Sequence, residues 1–262
     1  MSRDLLFEIG TEELPSWYVT EGSRALGPLL EQRLRAVGLA PAGVEVFGTP
    51  RRLAALVSGL PERSEERVEE RRGPSAAVAF DAQGAPTRAA EAFAASAGVP
   101  VGALERRQTE KGEYVYAQVT RGGEPAAAVL PALLAGVVAD LPAPRKMRWG
   151  EVDTPFVRPV AWLTALLGHE VVPVEAAGQA AGGGSRGHRF LAPGAVALPA
   201  PAGYAEALKG AWVIADEDER RRATLGAVSE AAAAHGLEPV VDPALLAEVA
   251  NLVEWPFPIV GA

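Results

Sequence analysis

The sequence of 262 residues contains no cysteine and only three histidines. The absence of thiols excludes disulfides, thiolate metal ligands and a cysteine nucleophile, and it is consistent with a reducing compartment. The histidines are His169, His188 and His235, and no two of them have the spacing that is typical of zinc ligands. We therefore expect no metal site in this chain.

Long hydrophobic runs are also missing. The longest apolar stretches, residues 126–138 and 160–167, are too short to span a membrane, and Glu8 interrupts the apolar start of the chain. These observations predict a cytoplasmic protein with no membrane partner. The formal net charge of -8 does not attract nucleic acid to the protein as a whole, so contact with RNA would require a local basic patch.

The sequence pattern is that of an α+β protein. Predicted strands and helices alternate irregularly, which favours mixed or antiparallel sheets with packed helices over a doubly wound fold. Asp216 precedes three acidic residues and predicts the start of a helix that extends to about His235, with a short strand at residues 212–215 before it. We divide the chain into an N-terminal region, residues 1–145, and a second region, residues 146–262.

Known catalytic signatures are absent from the sequence. There is no Walker-type glycine loop that ends in Lys-Ser or Lys-Thr, and there is no Gly-x-Ser-x-Gly nucleophile elbow. Glu12 and Glu13 are adjacent, so on a regular element their carboxylates would point apart. A role in a turn or at the entry to a helix is therefore favoured over an acid/base pair. We expect no catalytic residue in this chain.

The first candidate binding segment is residues 144–150. It holds three cations within four positions, Arg145, Lys146 and Arg148, followed by Trp149. Such cations neutralise RNA phosphates, and a tryptophan can stack on a base. The alternative is a surface loop whose Trp149 packs into the core, because charged runs usually mark solvated faces.

The second candidate segment is residues 185–190, where Arg186 and Arg189 bracket His188. Arginines in this arrangement can bind phosphate or carboxylate. Two alternatives stay open, namely a hydrogen-bonded structural histidine and an editing-like hydrolase that uses His188 as its base.

Three further arginines lie at the edges of predicted strands: Arg51 and Arg158 are next to prolines, and Arg52 follows Arg51. A cation at such a position is usually held by a carboxylate, and we expect ion pairs with Glu8 or Glu254. These arginines are secondary candidates for a binding role.

Eight short segments of the chain, in this order, resemble the β subunit of bacterial two-subunit glycyl-tRNA synthetases. They are residues 7–15, 49–53, 72–74, 109–113, 146–150, 156–160, 186–190 and 252–256. Each segment is moderately specific by itself, but together they extend over the whole sequence. The loop at residues 180–185 departs from the family, which tends to be more polar there.

The resemblance implies a role in an α2β2 enzyme that joins glycine to tRNA(Gly). In that family the α subunit holds the catalytic core and uses ATP and Mg²⁺, whereas the β subunit mainly binds and positions tRNA. The resemblance also implies a fold similar to the editing-type domain of the phenylalanyl-tRNA synthetase β subunit, and HD-type and anticodon-binding domains after residue 262.

We therefore expect the α subunit and tRNA(Gly) as partners, and no cofactor bound by this chain. RNA contacts are predicted first for the segment of Arg145, Lys146, Arg148 and Trp149, and second for Arg186, His188 and Arg189. The alternatives are an interaction module that packs on other protein without touching RNA, and a degenerate editing-like domain.

Overall fold

The structure is a computed structural model that describes residues 2–261. It has an α+β fold whose sheets are antiparallel except for one parallel strand pair, which confirms the predicted class. The strands are β1 (Ser2–Thr11), β2 (Gly43–Thr49), β3 (Arg52–Pro61), β4 (Arg67–Ser75), β5 (Glu105–Thr109), β6 (Gly112–Arg121), β7 (Val160–Leu167), β8 (Glu170–Val171), β9 (Glu175–Ala176), β10 (Gln179–Gly182), β11 (Gly184–Arg186) and β12 (Ala195–Ala197). The helices are α1 (Ser16–Ala36), α2 (Ala76–Ala79), α3 (Arg88–Ala97), α4 (Ala126–Asp140), α5 (Tyr204–Gly210), α6 (Glu217–Ala233) and α7 (Pro243–Ala250).

The chain divides into two compact units. Unit 1 comprises the described residues up to 62 and from 124 onward, and unit 2 comprises residues 63–123. This division differs from the expected regions 1–145 and 146–262. Strands β1 and β7 come from opposite sides of the expected boundary, yet they pair along most of their length in one sheet. The two expected regions are therefore joined by strand pairing within one sheet, which no local sequence pattern indicates.

The central sheet of unit 1 has the strand order β2-β3-β1-β7-β10-β9, with β8 paired to β7. Side chains alternate across a strand, so Leu5, Phe7 and Ile9 of β1 share one face. They are buried in the main hydrophobic cluster together with residues of α1 and α4, such as Leu30 and Leu134. Full burial of each of these side chains contributes about 1.5 to 3 kcal/mol.

The opposite face of β1 carries Leu6, Glu8 and Gly10. Gly10 pairs with Arg52 of β3 on one side and with Trp162 of β7 on the other. A Cβ atom on Gly10 would lie 1.9 Å from the indole ring, so glycine is required for Trp162 to lie across the strand. This face packs against α5 and holds the polar site described below.

The C-terminal part of unit 1 confirms one expectation and overturns another. The Asp216 side chain accepts a hydrogen bond of 2.6 Å from the amide of Glu219, so the predicted helix α6 begins where expected. The strand predicted at residues 212–215 is wrong, because Trp212 adopts a φ of 60° in a turn. The amides of Val213 and Ile214 bond to the end of α5 and to Glu254 instead of to a neighbouring strand.

Unit 2 is a three-stranded antiparallel sheet with the order β4-β6-β5, packed against two helices. Val115 and Ala117 of β6 are buried with side chains that include those of α2 and α3. The Thr87 hydroxyl caps α3 by accepting from the amide of Ala89. Within residues 2–261, no helix is long and apolar enough to cross a membrane.

Candidate functional site

A buried ionic network lies on the second face of the central sheet. Arg52 places Nη2 at 2.9 Å from Oε1 of Glu254 and Nη1 at 3.6 Å from Oε2 of Glu8. The exposed fractions of Glu8, Arg52 and Glu254 are 0%, 0% and 4%. One arginine therefore lies against two carboxylates in a region from which water is excluded, and its single positive charge balances one of their two negative charges. Arg52 pairs with both of the carboxylates that the sequence analysis named.

Neutral donors complete the shell around Glu8. The Tyr204 hydroxyl donates to Oε2 at 2.6 Å, the Ser185 hydroxyl donates to Oε1 at 2.7 Å, and the indole nitrogen of Trp162 donates to the same Oε1. These donors satisfy the carboxylate oxygens of Glu8 without water. The hydrogen bonds account for a buried charge that a lone arginine would balance incompletely.

The other carboxylate is held in a similar way. Glu254 accepts from the Thr49 hydroxyl at 2.7 Å and from Nε of Arg52 at 3.2 Å. Arg52 also donates to the backbone oxygen of Arg186 at 2.7 Å. Burial lowers the pKa of Arg52, but Glu254 and Glu8 raise it by more, so the net pKa is above its ordinary value. Burial and the charge of Glu8 raise the pKa of Tyr204.

Four of the eight segments that carry the family resemblance supply this network. Glu8, Arg52 and Glu254 lie in three of them, and Arg186 lies in a fourth. Its donors and acceptors are directed at one another, so the arrangement is built to hold chain segments together. We assign it a structural role.

Two members of the network were missed by the sequence analysis. Trp162 stands within an apolar run, and Tyr204 follows a loop, so neither had a polar neighbour in the sequence to indicate a partner. Sheet pairing beside Gly10 positions Trp162, and packing of α5 against the sheet positions Tyr204. The glycine at position 10 was the one available signal, since a glycine within a strand often marks a close approach.

Arg158 departs from the expected ion pairing. Its Nη1 donates to the backbone oxygen of Val157 at 2.9 Å, and no carboxylate of residues 2–261 pairs with it. Arg51 lies next to Arg52 in the sequence but reaches Glu254 only at 3.9 Å.

The segment at residues 145–149 contains two kinds of cation. Arg145 and Arg148 are exposed, and among the described residues neither has a hydrogen bond or an ion pair. Lys146 instead turns back to donate to the backbone oxygen of Ala139 at 2.9 Å, near the end of α4. Burial lowers the pKa of Lys146, and Asp140 partly opposes that effect.

Trp149 is half-buried and packs against the main core of unit 1. The ring therefore anchors the loop, as the alternative interpretation of this segment expected. The charges of Arg145 and Arg148 are left facing solvent beside it. Anchoring by Trp149 and exposure of the two arginines are compatible, because they involve different side chains of one loop.

Residues at both ends of the second candidate segment contact other parts of unit 1. Ser185 belongs to the buried network, and Arg186 lies with its guanidinium carbon 4.9 Å from the centre of the Trp162 ring. Arg189 forms ion pairs of 2.6 Å with Glu12 and 3.2 Å with Glu13. Two carboxylates therefore compensate the charge of Arg189, in contrast to Arg145 and Arg148.

His188 presents one ring nitrogen to its own loop. Its Nδ1 accepts from the amides of Phe190 and Leu191 at 3.2 and 3.1 Å. An amide can only donate, so Nδ1 must be the unprotonated nitrogen and Nε2 carries the hydrogen in the neutral ring. Burial lowers the pKa of His188, and the charges of Arg51 and Arg52 lower it further against the opposing effect of Glu254. This geometry favours a hydrogen-bond donor over a general base.

No hydrogen bond or ion pair within residues 2–261 joins the loop at 145–149 to the segment at 185–190. The two candidate segments are thus separate surface features. The same range contains no group of three or more acidic or histidine side chains arranged to hold a metal ion.

Comparison with known proteins agrees with the motif series. A family model described as glycyl-tRNA synthetase beta subunit matches residues 5–262. The glycine–tRNA ligase beta subunit of Myxococcus xanthus is 45% identical over 100% of this chain, which covers 37% of that protein. The corresponding subunit of Moorella thermoacetica is 42% identical over 100% of the chain, which covers 38% of it, and that of Hahella chejuensis is 40% identical over 99%, which also covers 38%.

These matches first define a class, the subunits of aminoacyl-tRNA synthetases. Within that class, the chain belongs to the family of glycyl-tRNA synthetase β subunits. It spans about 37% of the length of the first of these relatives.

Proposed function

We propose that this chain serves as part of the β subunit of a glycine–tRNA ligase, where it binds and positions tRNA(Gly) and contributes to assembly with an α subunit. Adenylate formation from glycine and ATP, with Mg²⁺, belongs to the α subunit in this proposal. The place of action is the cytoplasm. Membership of the β-subunit family supports the proposal, because its relatives carry the name of this enzyme.

The RNA contact is proposed for the loop at residues 145–149. The observation that carries it is the pair of exposed arginines, Arg145 and Arg148, whose charges no carboxylate of the described chain compensates. Contact with RNA phosphates releases condensed counterions, and a cation without an internal partner gains this without losing an ion pair. Arg189 would have to leave Glu12 and Glu13 first, so it is the weaker candidate.

The test is a titration of the full chain with a tRNA(Gly) transcript between about 50 and 200 mM salt. Replacing Arg145 and Arg148 with alanine should weaken binding and flatten the plot of log affinity against log salt by about 1.5 to 2, one phosphate contact for each arginine. The matched control replaces Arg221 and Arg222 of α6, which are also exposed and change the net charge equally. Equal slopes for the two double variants would contradict the RNA contact.

The same variants distinguish the RNA role from a protein interface. The half-buried Trp149 favours the interface as a second candidate, because an aromatic anchor is typical of subunit contacts. Co-purification with the α subunit should be unchanged in the Arg145 and Arg148 double variant. Loss of assembly with unchanged tRNA affinity would identify the loop as an interface and overturn its RNA role.

A further inference from the structure

Arg51 is a buried cation with too few partners. Its exposed fraction is 9%, yet within residues 2–261 its Nε has no hydrogen-bond partner, and its Nη1 reaches Glu254 only at 3.9 Å. A guanidinium offers five N–H donors, and leaving them unpaired in the interior is costly. The neighbouring Arg52 shows the contrast, since it bonds at ordinary distances to carboxylate, hydroxyl and backbone oxygens.

A second orphan atom belongs to Thr11, whose backbone is hydrogen-bonded to that of Arg51. The hydroxyl of Thr11 is fully buried without a partner, and the amide of Thr11 donates to the backbone oxygen of Arg51 at 2.8 Å. Two unsatisfied buried polar groups therefore come from residues that are joined by one hydrogen bond. Unsatisfied groups of this kind call for a specific explanation, and a bound polar ligand is one.

Arg51 shares the Trp162 ring with a more exposed arginine. The guanidinium carbons of Arg51 and Arg186 lie 5.5 and 4.9 Å from the centre of that ring. Arg186 is exposed to solvent and makes one long bond of 3.3 Å, to the backbone oxygen of Ala161. One cation thus stands in the interior and one at the surface, both held against a single aromatic side chain.

The carboxylates near this pair already have partners. Arg52 and its hydrogen-bonded neighbours occupy Glu8 and Glu254, and Arg189 occupies Glu12 and Glu13. Burial lowers the pKa of Arg51, Glu254 raises it, and the charges of Arg189 and Arg52 lower it again. Among residues 2–261, the Nε–H of Arg51 is therefore a buried donor that these carboxylates leave unpaired.

We propose that Arg51 and Arg186, with the Nε2–H of His188, form a binding site for a phosphate group on the Trp162 side of unit 1. Two guanidinium groups provide the parallel N–H donors that a phosphate accepts. A neutral histidine adds a donor without adding charge. The source of the phosphate, an RNA backbone or a free phosphate ion, is the one point that rests on the proposed function.

The probe is inorganic phosphate, added to the full chain at constant ionic strength with chloride as the reference anion. The His188 ring is followed by NMR, and binding heat is followed by calorimetry. Phosphate should bind saturably and raise the titration midpoint of His188, because a bound anion favours the protonated ring. The absence of a saturable response in the unmodified chain would overturn the site.

Variants locate the site. Arg51→Gln and Arg186→Gln should each lower the affinity for phosphate at least about tenfold, since each removes one charged donor pair. Arg186 is exposed, so its replacement tests the site even where Arg51→Gln impairs folding. Arg35→Gln on α1 is the matched control and should bind as the unmodified chain does. Phosphate affinity unchanged in both site variants would refute the assignment.

Competition with tRNA(Gly) identifies the source. Displacement of inorganic phosphate by tRNA assigns the site to an RNA phosphate, and simultaneous binding of both assigns it to the free ion. The double replacement of Arg145 and Arg148 separates the two proposals, because it should weaken tRNA binding and leave phosphate affinity unchanged. Failure of the RNA contact at that loop would therefore not be confused with failure of the phosphate site.

Discussion

Arg52 and the pair Arg145 and Arg148 carry the same charge in opposite surroundings. Arg52 is fully buried between two carboxylates, whereas the other two arginines are exposed and have no partner among the described residues. Both sets lie in or directly beside segments that carry the family resemblance. The difference shows that the carboxylates that the fold places next to an arginine decide its role.

Among the substitutions that test this comparison, Arg52→Ala in the buried network should have the largest effect on stability. It leaves Glu8 and Glu254 without their counter-charge, and we expect the free energy of unfolding to fall by about 3 to 5 kcal/mol. All five tryptophans lie in unit 1, so indole fluorescence in a urea titration reports on that unit. Arg35→Ala removes an exposed pair with Glu31 and should cost less than about 1 kcal/mol. Equal losses would contradict the assignment.

Tyr204→Phe should have the next largest effect. It removes the 2.6 Å hydrogen bond to Glu8 and lowers the free energy of unfolding by about 1.5 to 3 kcal/mol at neutral pH. The folded-state pKa of Tyr204 is raised by burial and by Glu8, while the unfolded value is about 10. The stability that this tyrosine contributes is therefore complete below about pH 10 and is lost as the pH rises further.

The test measures the free energy of unfolding of the unmodified protein and of Tyr204→Phe below and above about pH 10. The gap between the unmodified protein and Tyr204→Phe should narrow in alkaline solution. A gap that is constant with pH would mean that the hydroxyl is not coupled to the carboxylate of Glu8.

Gly10→Ala tests whether the network needs the close approach of the Trp162 ring to the backbone of β1. A Cβ atom would overlap the Trp162 ring, so the ring must move and its hydrogen bond to Glu8 must weaken. We expect a loss of about 1 to 3 kcal/mol in thermal or urea unfolding. Gly226→Ala in α6 is the control, because nothing lies within 4 Å of its added methyl group and alanine favours a helix. An unchanged free energy of unfolding in Gly10→Ala would show that the Trp162 ring does not depend on its close contact with Gly10.

The smallest effect on stability is expected from replacing Arg145 and Arg148 together with alanine. Neither side chain has a partner in the described part of the chain, so the free energy of unfolding should change by no more than about 0.5 kcal/mol. Urea titration of this variant beside Arg52→Ala completes the contrast. A loss above about 1 kcal/mol would show that the exposed arginines support the fold.

Local signals in the sequence predicted the elements whose determinants are local. The acidic start of α6 and the Asp216 cap act within one helical turn, and the structure has the helix there. The carboxylates Glu8 and Glu254 were named as partners for arginine because buried cations need them, and Arg52 contacts both.

The failures have a common physical cause in long-range pairing. Arg51 and Arg52 are identical neighbours, and only the register of β3 against Gly10 of β1 decides which of them enters the network. The same dependence on distant partners turned the expected strand at residues 212–215 into a loop. The role of the exposed arginines stays a prediction, since exposure alone does not name a partner.

The distance along the chain between Glu8 and Glu254 has a consequence for biosynthesis. The strand that carries Glu8 leaves the ribosome with an unneutralised carboxylate, and its last counterpart follows only after 246 further residues, from position 8 to position 254. At about 5 to 20 residues per second, that interval is roughly 10 to 50 seconds. During this time the contacts that Glu254 makes with Arg52 cannot form. The network is therefore completed late in the synthesis of the nascent polypeptide.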